Sequence, residues 1–174
     1  MGLDAFVRCR CFEEGKLVNC PVPYEDLYLS EDGYVSSRTL DEAHAELGYG
    51  EYRARFGPLD DEFFEWKMHP CEHEKREYCS EHVGNIMGWA TLQCIFEDAE
   101  EGTLSTLKTM LPTSNDGFFP ASKAQQALDE LEILRVHVRK SGDQAEIEWV
   151  DWKADILECL LRASLETGNP IQWC

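Results

Sequence analysis

Positive charge is what this sequence has least of. Sixteen Lys and Arg stand against 34 Asp and Glu, a formal net charge of −18 at pH 7. A surface with that surplus repels nucleic acid and anionic membranes, because like charges meet and no counterions are released to offset them. Neither is expected as a partner. A basic protein is, since opposite charge speeds encounter and favours the correct orientation. The acids are spread along the chain and do not form a terminal block, so no dedicated acidic tail is expected.

Long apolar runs are missing too. Nothing approaches the roughly 18 uninterrupted apolar residues of a membrane span. Asp4 and Arg8 interrupt the first residues, and no apolar leader segment follows them. Gly2 suggests an acylation site, but Phe6 stands where Ser or Thr is required. The expectation is a cytoplasmic protein with reduced thiols. Also absent are Gly-x-Gly-x-x-Gly, a phosphate-binding P-loop, a Gly-x-Ser-x-Gly elbow and a His-Glu-x-x-His helix. No catalytic residue is assigned on sequence grounds. With no internal repeat and no linker, residues 1–174 read as a single α+β domain, with short antiparallel strands near both termini and a helical middle.

The periodicities support that class. From Leu3 to Phe12, apolar residues alternate through Leu3, Ala5, Val7, Cys9 and Cys11, which predicts a strand carrying both thiols on one side. Leu27-Tyr28-Leu29 and Tyr34-Val35 flank Asp32-Gly33, a hairpin signal. Thr39-Leu40-Asp41-Glu42 resembles a capping box for a short helix. Asp60-Asp61-Glu62, just after Pro58, reads as an acidic helix start. Val83 to Phe96 predicts a buried helix in which Cys94 packs in the core. A helix is also expected from Ser122, a second hairpin across Val136–Val138 and Ala145–Trp149 unless that helix absorbs its first arm, a helix over Asp155–Leu165, and a last strand at Ile171–Cys174.

What the chain has in unusual density is soft metal-ligand side chains. His69 to His82 holds three of the five histidines and two of the eight cysteines. Two four-ligand sets suit a structural zinc ion. One is local: Cys71, His73, Cys79 and His82. The other is long-range: Cys9, Cys11, Cys71 and His73, a Cys-x-Cys segment meeting a Cys-x-His segment. The long-range set is preferred, because each x-separated pair in an extended segment points both side chains one way. A catalytic zinc centred on Cys71 and His73 is the alternative, with Glu72 or Glu74 as acid or base.

The expected role is binding: an acidic protein that neutralises or regulates a basic partner, like the immunity-type inhibitor of a toxin or nuclease. Its contact residues would be acids of turns and helix starts, namely Glu31, Asp32, Asp60, Asp61, Glu62, Glu97, Asp98, Glu100 and Glu101. A zinc-dependent enzyme and a zinc-structured adaptor are the competing expectations.

Overall fold

The computed structural model describes residues 2–30, 33–99, 102–111, 117–140 and 143–174. In chain order the elements are β1 (Gly2–Arg8), β2 (Leu27–Leu29), β3 (Val35–Ser37), α1 (Arg38–Glu46), α2 (Tyr49–Trp66), β4 (Glu77–Asn85), α3 (Ile86–Asp98), α4 (Ser105–Met110), β5 (Gly117–Phe119), α5 (Ala124–Arg139), α6 (Gln144–Thr167) and β6 (Ile171–Trp173). The fold is mixed α+β, with antiparallel strands near both ends of the chain. Contacts cluster in two compact units. The first joins the residues up to Arg8 with Tyr78–Cys174, and the second is Cys9–Glu77. Each has its own apolar core.

In the first unit a four-stranded sheet runs β4-β1-β6-β5. Strand β6 is central, with Ala5 opposite Trp173 on one side and Phe119 opposite Ile171 on the other. All three β6 residues are buried, so a three-residue strand suffices to lock both ends of this unit's sequence into one sheet. Helix α5 buries Ala127, Leu131, Leu134 and Val138, an i, i+4, i+7, i+11 stripe that matches the helical period. That stripe decides between the two readings of this segment: the helix absorbs the first arm of the expected second hairpin. Val138 continues the buried helical face while Val136 is exposed, so the apparent alternation at 135–139 was one edge of a helix. The expected helix at Asp155–Leu165 likewise starts earlier. Asp143 caps α6 by accepting from the N–H groups of Ala145 and Glu146, and Gly168, left-handed at φ 74°, ends it.

Helix α3 is shorter than expected. Val83 belongs to β4, and Asn85 caps the helix by accepting from the Gly88 N–H at 2.9 Å. Cys94 is exposed, not in the core.

The second unit is built on the expected hairpin, with Leu29 opposite Val35. Its core holds Val22, Leu27, Val35, Leu40, Phe63 and Trp66. Ser37, and not Thr39, caps α1, its hydroxyl accepting from the Leu40 N–H at 3.2 Å. The Thr39 hydroxyl donates to Asp26 at 2.7 Å instead. Helix α2 continues across Pro58. Proline there removes the N–H that would reach the Ala54 carbonyl, and both Pro58 and Ala54 are exposed, so water can take the freed acceptor. Asp60 and Asp61 are therefore mid-helix residues, not a helix start. Arg53 pairs with both, at 3.5 and 3.0 Å.

Candidate metal centre

Within the second unit, Cys9, Cys11, Cys71 and His73 converge. One ligand atom from each lies within 4.8 Å of all the others. Cys9 Sγ is 3.7 Å from Cys71 Sγ, Cys11 Sγ is 3.5 Å from His73 Nδ1, and Cys71 Sγ is 3.9 Å from the same nitrogen. Cys9 and Cys11 are buried, and Cys71 and His73 are half-buried. These four groups are close enough to bind a metal.

The convergence has a backbone cause, though not the expected one. Strand β1 ends at Arg8, so the two N-terminal thiols are not strand residues. Cys9 is held by its N–H, which donates to the Arg76 carbonyl at 2.7 Å. Cys11 opens a tight turn over 11–15 in which the Lys16 N–H returns to the Cys11 carbonyl at 2.7 Å. Gly15, at φ 67°, supplies the left-handed residue that this return needs. The second pair lies in the loop after α2. The Val18 N–H donates to the Pro70 carbonyl at 2.9 Å, and the Lys75 N–H to that of Met68 at 2.8 Å. His73 precedes a single 3-10 turn, Glu74–Arg76, closed when the Arg76 N–H donates to the His73 carbonyl at 3.1 Å.

Arg76 is the residue that sequence reasoning missed. It is a buried guanidinium, only 3% exposed, donating to the Cys9 carbonyl at 3.2 Å and to the Gly33 carbonyl at 3.2 Å. Glu13 lies 3.6 Å away as its counter-charge. Lys75 and Arg76 are consecutive left-handed residues, at φ 49° and 61°. Such backbone costs about 1 kcal/mol or more per residue and persists only where its surroundings enforce it. Nothing in the run Glu74-Lys75-Arg76-Glu77 marks it, because buried charge and positive φ leave no periodic trace.

Burial, reinforced by hydrogen bonding with Cys9 and Cys71, pushes the Cys11 thiol well above its ordinary range. Burial also raises the Cys71 thiol. Three thiols packed this closely cannot all ionise unless a cation joins them.

The local ligand set does not form. Cys79 and His82 stand on strand β4, where an i, i+3 spacing puts them on opposite faces. Each has another neighbour: Cys79 Sγ is 3.2 Å from Cys159 Sγ, and His82 Nδ1 is 2.6 Å from Asp4 Oδ1. Of the acids expected to meet a partner, Glu31, Asp32, Glu100 and Glu101 lie outside the described residues. Asp60 and Asp61 are engaged by Arg53, whereas Glu62, Glu97 and Asp98 are exposed. In the basic run Arg135-His137-Arg139 both arginines are matched by nearby acids. Arg135 reaches Glu132, Asp155 and Glu158 at 2.6, 2.7 and 3.0 Å, and Arg139 reaches Asp151 at 3.3 Å. Among the described residues no helix is long and apolar enough to cross a membrane. Comparison of the chain with protein-family models, with curated proteins and with solved structures found no match in any of the three.

Proposed function

We propose that this is a zinc-structured binding protein, in which one zinc ion on Cys9, Cys11, Cys71 and His73 holds the second unit in shape and the acidic surface addresses a basic protein partner. The spacing of the four ligands carries the metal half of this reading. A tetrahedral zinc ion with Zn–S of about 2.3 Å and Zn–N of about 2.05 Å sets S···S edges of about 3.8 Å and S···N edges of about 3.6 Å. The observed separations are 3.7, 3.5 and 3.9 Å. Three thiolates and an imidazole complete the coordination of zinc, which favours a structural over a catalytic ion. Binding free energy is then folding free energy, on the order of 10 kcal/mol at neutral pH.

The binding half rests on charge. Glu97 and Asp98 occupy the last turn of α3, where carboxylates oppose the helix dipole and cost a few tenths of a kcal/mol each. Acids placed against that field serve solubility or a cationic partner rather than the helix. The test is recovery of partners from the native host at low and high salt. A basic partner whose association rate falls steeply with ionic strength supports the reading. A salt-independent complex, or an acidic partner, contradicts it.

A further inference from the structure

Away from the metal centre, the first unit holds a second pair of sulfurs with a different geometry. Cys79, on β4, and Cys159, on α6, are 80 residues apart in sequence, yet their Sγ atoms are 3.2 Å apart. That contact is closer than the Cys9–Cys71 spacing of 3.7 Å. The difference decides what the pair is for. Two thiolates sharing a zinc ion at about 2.3 Å each would subtend only about 88° at a separation of 3.2 Å, well short of the tetrahedral angle of about 109°. A disulfide needs the sulfurs to close to about 2.05 Å, a shift of little more than an ångström. Glu81 is close enough to make a third ligand, but a metal would have to push the sulfurs apart. Cys159 is exposed and Cys79 half-buried, so one thiol meets solvent and the other waits behind it.

We propose that Cys79 and Cys159 form a reversible disulfide that ties strand β4 to helix α6, made by exchange with a small disulfide oxidant such as oxidised glutathione. The Cys159 thiolate attacks one sulfur of the oxidant, forming a mixed disulfide and releasing one glutathione thiolate, which takes up the proton that Cys159 lost. The Cys79 thiolate then attacks the Cys159 sulfur, expelling the second glutathione, which takes up the proton lost by Cys79. Two electrons and two protons pass from the cysteine pair to the oxidant, which is reduced to two thiols. Burial and the neighbouring Cys159 push the Cys79 thiol up to about 12. Both attacks quicken as the pH rises, because only the thiolate is the nucleophile.

The experiment treats the full chain with oxidised glutathione and follows intact mass, then maps the peptides. The expected result is one linked peptide pair joining Cys79 to Cys159, two hydrogens lighter than the two free peptides, with no glutathione retained on either of these cysteines. Dithiothreitol restores the original mass. The linked form melts several degrees higher, because the bridge closes an 80-residue separation. Cys159→Ser, at an exposed position, should abolish the linked pair. Cys79→Ser should stop the reaction with glutathione retained on Cys159. Glutathione retained on Cys159 in the unsubstituted chain overturns the proposal. So does recovery of both thiols free under conditions that oxidise the other exposed cysteines.

Discussion

Arg76 holds Cys9 from both sides of its peptide backbone. The Arg76 carbonyl accepts the Cys9 N–H at 2.7 Å, and the Arg76 guanidinium donates to the Cys9 carbonyl at 3.2 Å. Sixty-seven residues separate the two in sequence. This double tie brings the Cys-x-Cys segment to the Cys-x-His segment. It behaves as an outer ring of support for the ligands, and such rings matter nearly as much as the ligands do.

Arg76→Met keeps much of the buried volume and removes the donors. The expected outcome is a loss of zinc affinity of about 10- to 100-fold, measured by competition with a chromophoric chelator. An unchanged affinity would mean that the ligands hold their own positions.

Acid should strip the metal steeply. Thiols are ordinarily protonated at neutral pH, burial pushes Cys11 and Cys71 further that way, and each proton displaced on binding contributes about tenfold in apparent affinity per pH unit. With at least two such thiols, affinity should fall by about a hundredfold per unit as pH drops from 8 to 6 (about two protons released). A slope of one proton or fewer would contradict this account of the site.

The first unit has its own electrostatic anchor. Arg135 is largely buried and joins Glu132 on its own helix to Asp155 and Glu158 on α6. Arg135→Met should destabilise the unit by about 2 kcal/mol, the scale of hydrogen bonds to charged groups. Thermal melts would register this as a fall of several degrees.

Glu158 gives that anchor a pH dependence. Hydrogen bonds from Arg162 and then Arg135 hold its carboxyl below the usual glutamate value of 4.5. A depressed pKa in the folded state contributes stability that is complete above 4.5 and lost as pH falls through the lower folded value. Glu158→Gln should therefore flatten the acid limb of the melting profile below that point and lower the plateau above it. An unchanged acid limb would show that other carboxylates govern it.

How much of this was legible in the sequence depends on whether the signal was chemical or geometric. The four candidate ligands were legible because few residue types bind soft cations and the alternating Cys-x-Cys and Cys-x-His spacings stand out. The elements carrying them were not. Cys9 and Cys11 continue the alternation of β1, but the strand stops at Arg8, and no residue type announces that stop. The β6 strand was legible from Ile171 and Trp173. Helix α2 was misread at Pro58, because a proline ordinarily ends or kinks a helix, and that the helix continues past it is not written in the residues nearby. The Val136–Val138 pair was ambiguous because two valines in alternation fit a strand, while the full stripe from Ala127 to Val138 fits only a helix. Arg76 had no sequence signal at all, since what makes it matter is a partner in another part of the chain.

The most direct measurement is the zinc content of the reduced chain purified without added metal, by elemental analysis beside a Cys71→Ser, His73→Ala double variant. The account predicts one zinc ion per unsubstituted chain, none in the variant, and loss of the second unit's ordered structure when the ion is removed. An unsubstituted chain that carries no zinc, takes none up and keeps its melting temperature in strong chelator would contradict it.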